Sequence, residues 1–176
     1  MKNGILIREA SNQDFRTISS VISAAFADQQ NIRDGQIVQT LLFSELIKDG
    51  HDTVSLIAVD SKIVGHVLVS PVFLEPNNGL TCGQVSPLSV HPDFQSKGIG
   101  SSLMSAVIEK SKTLGLDALF LLGDPNYYGR FGFIPSKVRS AYGPSDYFQE
   151  LVLRNGDLEL LDINVNLAPA FTRLGL

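Results

Sequence analysis

The sequence predicts an α/β protein in which a mixed sheet is covered by helices. Three observations support this fold class. Apolar residues recur at helical spacing in three segments, β-branched and apolar runs form strands between and after them, and Gly, Pro and Asn mark the turns. No internal repeat, low-complexity tract or linker-like composition separates these segments. We therefore expect residues 1–176 to form one domain, a size that buries roughly 70% of the surface exposed on unfolding.

The N-terminal part has the pattern of one strand followed by two helices. Residues 5–8 are mostly apolar and predict a short strand. Ser11 and Asp14 then have the spacing of a helix N-cap and its capping-box acid. Apolar residues at helical spacing continue through residues 15–26 and, after a polar break, through residues 37–46. Two helices are expected here.

Three strands follow. Residues 53–59 and 63–73 are rich in β-branched and apolar residues, and the short segment 60–62 between them suits a tight hairpin. A third strand over residues 80–90 contains Pro87, which cannot donate a ladder hydrogen bond. The third strand is therefore expected to be bulged or splayed near Pro87.

The second half of the chain contains a helix and further strands. Residues 99–114 have apolar residues at helical spacing, and residues 118–122 form a short apolar run typical of a buried strand. Residues 149–153 and 158–163 flank Asn155-Gly156, a dipeptide suited to a two-residue hairpin turn. The sequence thus predicts a C-terminal hairpin.

The composition excludes several classes of protein. Apolar residues make up 44% of the chain, charged residues 18%, and no apolar run approaches the roughly 18 residues of a membrane span. The net charge of −4 and the absence of a Lys/Arg cluster argue against nucleic acid or membranes as partners. One cysteine, Cys82, and three dispersed histidines provide no metal site. With no secretory signal pattern at the start, the expected compartment is the cytoplasm.

A strand, a turn and a helix start meet in residues 90–101, where the first helical turn contains Gly98 and Gly100. The first N–H groups of a helix have no internal partner and carry the positive end of the helix dipole. Glycine lets a phosphate approach these groups without a Cβ in the way. This pattern predicts an anion site that an acidic protein could use, although two glycines could also serve only to form a tight turn.

Three separated motifs resemble the GCN5-related N-acetyltransferase superfamily. The pattern Gln95-x-x-Gly98-x-Gly100 is similar to its coenzyme A signature of Arg or Gln, two variable residues, Gly, one variable residue and Gly or Ala. Residues 7–14 look like its usual opening, and residues 128–133 are similar to its Tyr-x-x-x-Gly-Phe element. The order of elements also matches its fold, which implies a mostly antiparallel sheet flanked by helices and splayed at the coenzyme.

The resemblance implies an acetyl-coenzyme A-dependent transferase that uses no metal. A primary amine of a small molecule or peptide would attack the thioester directly in a ternary complex, and Tyr128, by its place in the motif, would protonate the leaving thiolate. A homodimer stays open. The residues implied in coenzyme binding are Leu88, Ser89, Val90, Gln95, Ser96, Lys97, Gly98, Ile99, Gly100 and Ser101.

Several of these residues have a simpler explanation. Tyr127 and Tyr128 could be packing aromatics, with Tyr127 on the substrate side or in the core. Lys97 and Arg130 could contact a phosphate or extend into solvent. His66 lies in an apolar run and is expected to be a hydrogen-bonded sheet residue rather than a base.

The sequence does not provide an obvious general base. Many family members have a glutamate on the strand before the glycine loop, whereas residues 81–90 contain only Gln84, which cannot take up a proton. Glu75 could act through water or be an exposed turn residue. Two other functions stay open, a catalytically silent coenzyme A-binding domain and a dinucleotide-binding dehydrogenase. The second is disfavoured because the glycine loop follows several antiparallel strands.

Overall fold

The computed structural model describes residues 4–29, 31–143, 145–154 and 162–176. Within these ranges, nine strands form one sheet and two more form a short hairpin. The strands are β1 (Leu6–Glu9), β2 (Ile32–Arg33), β3 (Gln36–Ile37), β4 (Val54–Asp60), β5 (Lys62–Glu75), β6 (Cys82–Val90), β7 (Ala118–Leu122), β8 (Ile134–Pro135), β9 (Arg139–Ser140), β10 (Phe148–Val152) and β11 (Asn164–Leu167). The helices are α1 (Phe15–Ala25), α2 (Val38–Lys48), α3 (Ile99–Thr113), α4 (Pro125–Tyr128) and α5 (Pro169–Arg173).

The main sheet has the order β1-β4-β5-β6-β7-β10-β8. Strands β1, β4, β5 and β6 pair antiparallel in succession, β6 and β7 pair in parallel, and β10 lies antiparallel between β7 and β8. Strand β11 pairs antiparallel with β5, and β9 pairs in parallel with β11. The predicted mixed, mostly antiparallel sheet is confirmed.

Helices cover both faces of this sheet, as the sequence predicts. On one face, Leu103, Met104 and Val107 of α3 are buried against β4 to β7. On the other face, α1, α2 and α5 share a buried cluster with β4 and β5 that includes Ile22 and Leu42. Burying such side chains contributes about 1.5–3 kcal/mol each. These two clusters stabilise the sheet that supports the glycine loop.

Strand β6 is distorted where the sequence predicts a break. Val67 lies opposite Leu88 and Val69 lies opposite Val85, so two residues of β6, Ser86 and Pro87, face one residue of β5. This arrangement is a β-bulge. Strand β7 pairs with β6 only over residues 82–84, so the end of β6 diverges from β7. The predicted splay is confirmed, and it opens a gap beside the glycine loop.

Local helix signals are also confirmed. The backbone N–H of Ser11 donates to Asp14 Oδ2 at 2.8 Å, which forms the capping box, and a short 3-10 turn over Asn12–Asp14 leads into α1. Helix α3 is followed by Gly115 at φ +85°, the left-handed conformation that favours glycine after a helix. The ends of α1 and α3 are therefore encoded locally.

The C-terminal part contains elements that the sequence does not predict. The turn Asn155-Gly156 and most of the predicted strand 158–163 lie outside the described residues. The next described strand, β11, pairs with β5 and β9, and α5 follows it without having been predicted. Apolar residues of β11 pack on a cluster that includes Phe120 and Phe148, so long-range burial determines the position of this strand.

Candidate coenzyme site

The loop between β6 and α3 presents backbone N–H groups to the gap in the sheet. After a 3-10 turn over Pro92–Phe94, Ser96 and Gly98 adopt left-handed backbone conformations at φ +58° and +83°. Helix α3 begins at Ile99, and its first amides have no carbonyl partner within the helix. Such a turn followed by a helix start forms a concave group of N–H donors. The loop can therefore bind an anion without a charged side chain.

The edge of β6 also presents backbone groups that do not pair with β5. The N–H of His91 donates to Val64 O at 2.8 Å, which makes these two residues a hydrogen-bonded pair between β6 and β5. Because hydrogen-bonded and non-bonded pairs alternate along an antiparallel ladder, Ser89 also faces β5. The backbone groups of Leu88 and Val90 then point away from β5, into the gap that β7 leaves.

A cavity of about 480 Å³ lies between this strand edge and the loop. All of the predicted coenzyme residues except Ser89 and Lys97 line it, together with Phe94, Tyr127 and Arg130. Gln95 fastens the loop to the strand, since its Nε2 donates to Val90 O at 3.0 Å.

Ser89 and Lys97 lie differently from the other predicted residues. Ser89 is 2% exposed, and its hydroxyl donates to His66 O at 3.4 Å. The Lys97 ammonium donates to Asp93 O at 2.7 Å and lies 4.9 Å from the centre of the Phe94 ring. Lys97 is a lining residue of a neighbouring groove between β1 and α3 and is not among the lining residues of the cavity. The backbones of both residues still belong to the strand and the loop that form the site.

Gly100 has a second structural role beside its place in the loop. A Cβ at this position would lie 2.8 Å from Tyr127 Oη and 3.7 Å from Val90 Cγ2. A separation of 2.8 Å is far inside van der Waals contact. Gly100 therefore makes room for the Tyr127 hydroxyl in the cavity wall.

The two tyrosines of α4 lie in different surroundings. Tyr127 lines the cavity, whereas Tyr128 is partly buried and packs at 6.2 Å from Phe133. Burial raises the pKa of Tyr128 to about 12, so its hydroxyl stays protonated at neutral pH. Gly123 lies against the Tyr128 ring, and a side chain at that position would overlap it.

Arg130 and Phe131 both pack on the ring of Tyr127, beside the cavity. The Arg130 guanidinium lies over the Tyr127 ring, 4.7 Å from its centre, and Phe131 contacts the same ring edge-on at 5.6 Å. Sequence reasoning named Arg130 only as an ambiguous cation and missed Phe94 as a lining residue. The signal for Arg130 was its place inside the Tyr-x-x-x-Gly-Phe element.

Several buried polar groups lie on the face of the sheet that α1 and α2 cover. Gln84 is 1% exposed, and Ser70 lies directly opposite it on β5. Among the described residues, neither Gln84 Oε1 nor the Ser70 hydroxyl has a hydrogen-bond partner. His66 Nε2 lies 2.9 Å from Ser55 Oγ, and burial lowers the pKa of His66 to about 3. His66 is thus the buried, hydrogen-bonded sheet residue that the sequence predicts.

Three observations concern metal binding, thiol chemistry and membrane insertion. In the described ranges, no three His, Cys, Asp or Glu side chains are grouped so that they could hold a metal ion. Burial, together with the nearby charge of Asp117, raises the pKa of the Cys82 thiol to about 12. No described helix is long and apolar enough to cross a bilayer.

Sequence relatives are named as acetyltransferases. The profile of the acetyltransferase (GNAT) family matches residues 17–133, more than half of the chain. The uncharacterised N-acetyltransferase YjhQ of Escherichia coli K12 is 31% identical over 65% of this chain and 62% of its own length. A second uncharacterised N-acetyltransferase of Escherichia coli K12, YhbS, is 32% identical over 52% of this chain and 56% of its own length. The chain thus spans less than two thirds of these curated relatives.

Solved structures with the same fold contain the coenzyme. A GNAT family acetyltransferase from Brucella melitensis, in complex with acetyl-CoA, has a TM-score of 0.79 and 28% identity, covering 96% of this chain and 99% of that one. The Escherichia coli YhbS structure, in complex with CoA, has a TM-score of 0.83 and 27% identity, covering 98% of this chain and 94% of that one. Together with the matching profile, the splayed sheet and the glycine loop, these similarities show that the chain belongs to the acetyltransferase (GNAT) family.

Proposed function

We propose that this protein transfers an acetyl group from acetyl-coenzyme A to a primary amine by direct attack in a ternary complex. The observation that carries this proposal is the cavity between the diverging end of β6 and the amide-lined start of α3. Family membership supports the same chemistry. We further propose that residues 1–176 act as one N-acetyltransferase domain, since strands from both ends of the chain join one sheet.

The loop and the strand edge would hold different parts of the coenzyme. We propose that the backbone N–H groups of residues 96–101 bind the diphosphate, with Lys97 contributing through its backbone, while the N–H of Gln95 is engaged by Pro92 O. The outward-facing backbone groups of Leu88 and the N–H of Val90 would pair with the amides of the pantetheine arm, as an added strand pairs with a sheet edge, while Val90 O accepts from Gln95. Ser89 would hold this edge in place through its buried contact with β5.

The coenzyme supplies an acetyl thioester, whose carbonyl carbon accepts the amine and whose sulfur leaves as a thiolate. An N–H of the segment Leu88 to Val90 would polarise the thioester carbonyl, and a preorganised donor of this kind is worth about 3 kcal/mol. The gap in the sheet would place the amine opposite that donor. The attacking nitrogen loses one proton to water as the C–N bond forms and the C–S bond breaks, and no nucleophilic residue of the protein takes part.

We propose Tyr128 as the proton donor to the thiolate, from its place in the family motif. Its ring contacts Tyr127 at 4.9 Å, and burial keeps its hydroxyl protonated. Tyr127 is the second candidate, supported by its position in the cavity wall. The comparison of the two Tyr→Phe variants decides between them.

The acceptor is a small-molecule or peptide amine that reaches the site largely unprotonated. Gln84 occupies the strand where many family members have a glutamate, and a buried amide cannot take up a proton. The amine therefore has to lose its proton to water before attack. The absence of a glutamate on this strand also supports the alternative function, a catalytically silent coenzyme A-binding domain.

Release of free coenzyme A tests the proposal. Acetyl-coenzyme A would be incubated with a panel of small amines, amino acids and peptides, and the thiol measured with a chromogenic disulfide. We expect acceptor-dependent release that Gly98→Asp abolishes. Tight coenzyme binding without release from any amine class would instead support the silent domain.

A further inference from the structure

The cavity has an uneven distribution of charge. Of its described lining residues, Arg130 alone carries a charged side chain, and no carboxylate lines the wall. The chain as a whole has a net charge of −4, so long-range attraction does not favour a polyanion. A cation inside the cavity is therefore the main side-chain attraction that this site offers to phosphate.

Lys97, the cation within the loop, is already engaged by other groups of the protein. Its ammonium donates to Asp93 O at 2.7 Å and lies 4.9 Å from the Phe94 ring centre. Lys97 is a lining residue of the groove between β1 and α3 and is not among the lining residues of the cavity. Pairing its ammonium with a phosphate in the cavity would compete with the hydrogen bond to Asp93 O.

Arg130, by contrast, lines the cavity, and among the described residues no hydrogen-bond acceptor is paired with its guanidinium. The guanidinium stacks over Tyr127 at 4.7 Å, and the described residues place no carboxylate within ion-pair distance of it. Tyr127 is itself fixed, since its ring contacts Tyr128 at 4.9 Å and Phe131 at 5.6 Å. Stacking on one face leaves the edge of the guanidinium fork available for a bidentate anion.

We propose that Arg130, stacked on Tyr127, is the side chain that pairs with the coenzyme diphosphate, and that Lys97 is not. This inference rests on the proposed coenzyme site. The diphosphate would lie between the start of α3 on one side and the Arg130 fork on the other. The short segment after β7 thus contributes to coenzyme affinity as well as to the chemistry.

Calorimetric titration of the full chain tests this assignment, with thermal melts to confirm folding. Coenzyme A and 3′-dephospho-coenzyme A would each be titrated into the wild type, Arg130→Gln, Arg130→Lys and Lys97→Gln. Arg16→Gln, an exposed arginine on α1, is the matched control for loss of one positive charge.

We expect Arg130→Gln to weaken both ligands roughly 10- to 100-fold, the loss of one charge-assisted hydrogen-bond pair. Arg130→Lys should lose less, and Arg16→Gln should bind like the wild type. Wild-type affinity in folded Arg130→Gln, a larger loss in Lys97→Gln, or a loss confined to the ligand with the 3′-phosphate would each overturn the assignment. A wild type that binds neither ligand would instead overturn the coenzyme site itself.

Discussion

Replacing Gly100 by alanine should reveal a direct coupling between the glycine loop and α4. The family signature accepts Gly or Ala at this position, so the motif alone predicts that Gly100→Ala is harmless. In this chain, a Cβ at Gly100 would lie 2.8 Å from Tyr127 Oη. The ring of Tyr127 cannot withdraw freely, because Tyr128 and Phe131 pack against it.

The magnitude follows from two opposing terms. Alanine within a helix is favoured over glycine by about 0.5–1 kcal/mol, whereas overpacking costs about 1–3 kcal/mol. Gly100→Ala alone should therefore lower the free energy of unfolding by up to about 2 kcal/mol. In a Tyr127→Phe background, the nearest remaining atoms are Val90 Cγ2 at 3.7 Å and the ring Cζ at 4.0 Å, both ordinary contacts. There the same change should be neutral or stabilising.

Urea unfolding of the wild type, both single variants and the double variant gives the coupling energy, which we expect to be about 1–2 kcal/mol. Gly129→Ala is the control, since nothing lies within 4 Å of a Cβ at that glycine. If Gly100→Ala has the same effect in both backgrounds, to within about 0.5 kcal/mol, the contact with Tyr127 does not constrain Gly100, and our description of this cavity wall is wrong.

Three further predictions concern catalysis and stability. Tyr128→Phe should lower kcat on the order of 10²-fold with little change in coenzyme affinity, since it removes a positioned acid. Tyr127→Phe should lower kcat much less. Steady-state kinetics that show the reverse would assign the role of proton donor to Tyr127. Acceptors should be weakly basic amines. Deprotonating a lysine side chain, with a pKa of about 10.4, costs over about 3 kcal/mol more than deprotonating an α-amino group, with a pKa of about 8. A competition assay at pH 7 that favours lysine side chains would therefore show that a base exists. Burial lowers the pKa of folded His66 to about 3, below about 6.5 in an unfolded chain, so its contribution to stability is present above pH 6.5 and is lost as the pH falls. This loss should reach about 2 kcal/mol between pH 7 and 5 and be absent in His66→Gln, and unfolding curves with equal pH slopes for both proteins would contradict it.

The parts of the fold that the sequence predicts correctly depend on local signals. The capping box of Ser11 and Asp14, the hairpin between β4 and β5, and the break at Pro87 each follow from a few neighbouring residues. The pairing of β11 with β5 could not be predicted in this way. It brings together residues 164–167 and 72–75, and burial in a shared cluster determines that register.

The same distinction applies to the site. The glycine loop is a local motif, and the residues of its backbone lie where the sequence predicts. Which of Tyr127 and Tyr128 lines the cavity depends on packing, since consecutive helical residues point about 100° apart. The space left by Gly100 receives Tyr127, and Gly123 lies against Tyr128. Lys97 and Arg130 are likewise distinguished only by contacts with Asp93 and Tyr127, which the sequence does not reveal.

The loop of residues 95–101 is the proposed binding site of acetyl-coenzyme A. Gly98→Asp tests it with a matched control, Gly79→Asp. Both glycines have nearly the same φ, +83° and +82°, and among the described residues no contact within 4 Å would meet a Cβ at either position. Both variants therefore place a side chain at a left-handed φ and add the same charge, one at the start of α3 and the other before the first residue of β6.

Calorimetric titration with acetyl-coenzyme A should show wild-type affinity in Gly79→Asp and a loss on the order of 10²-fold or more in Gly98→Asp, because the new carboxylate would stand where phosphate oxygens bind. Equal affinities in the two folded variants would contradict the account and remove the coenzyme from this loop.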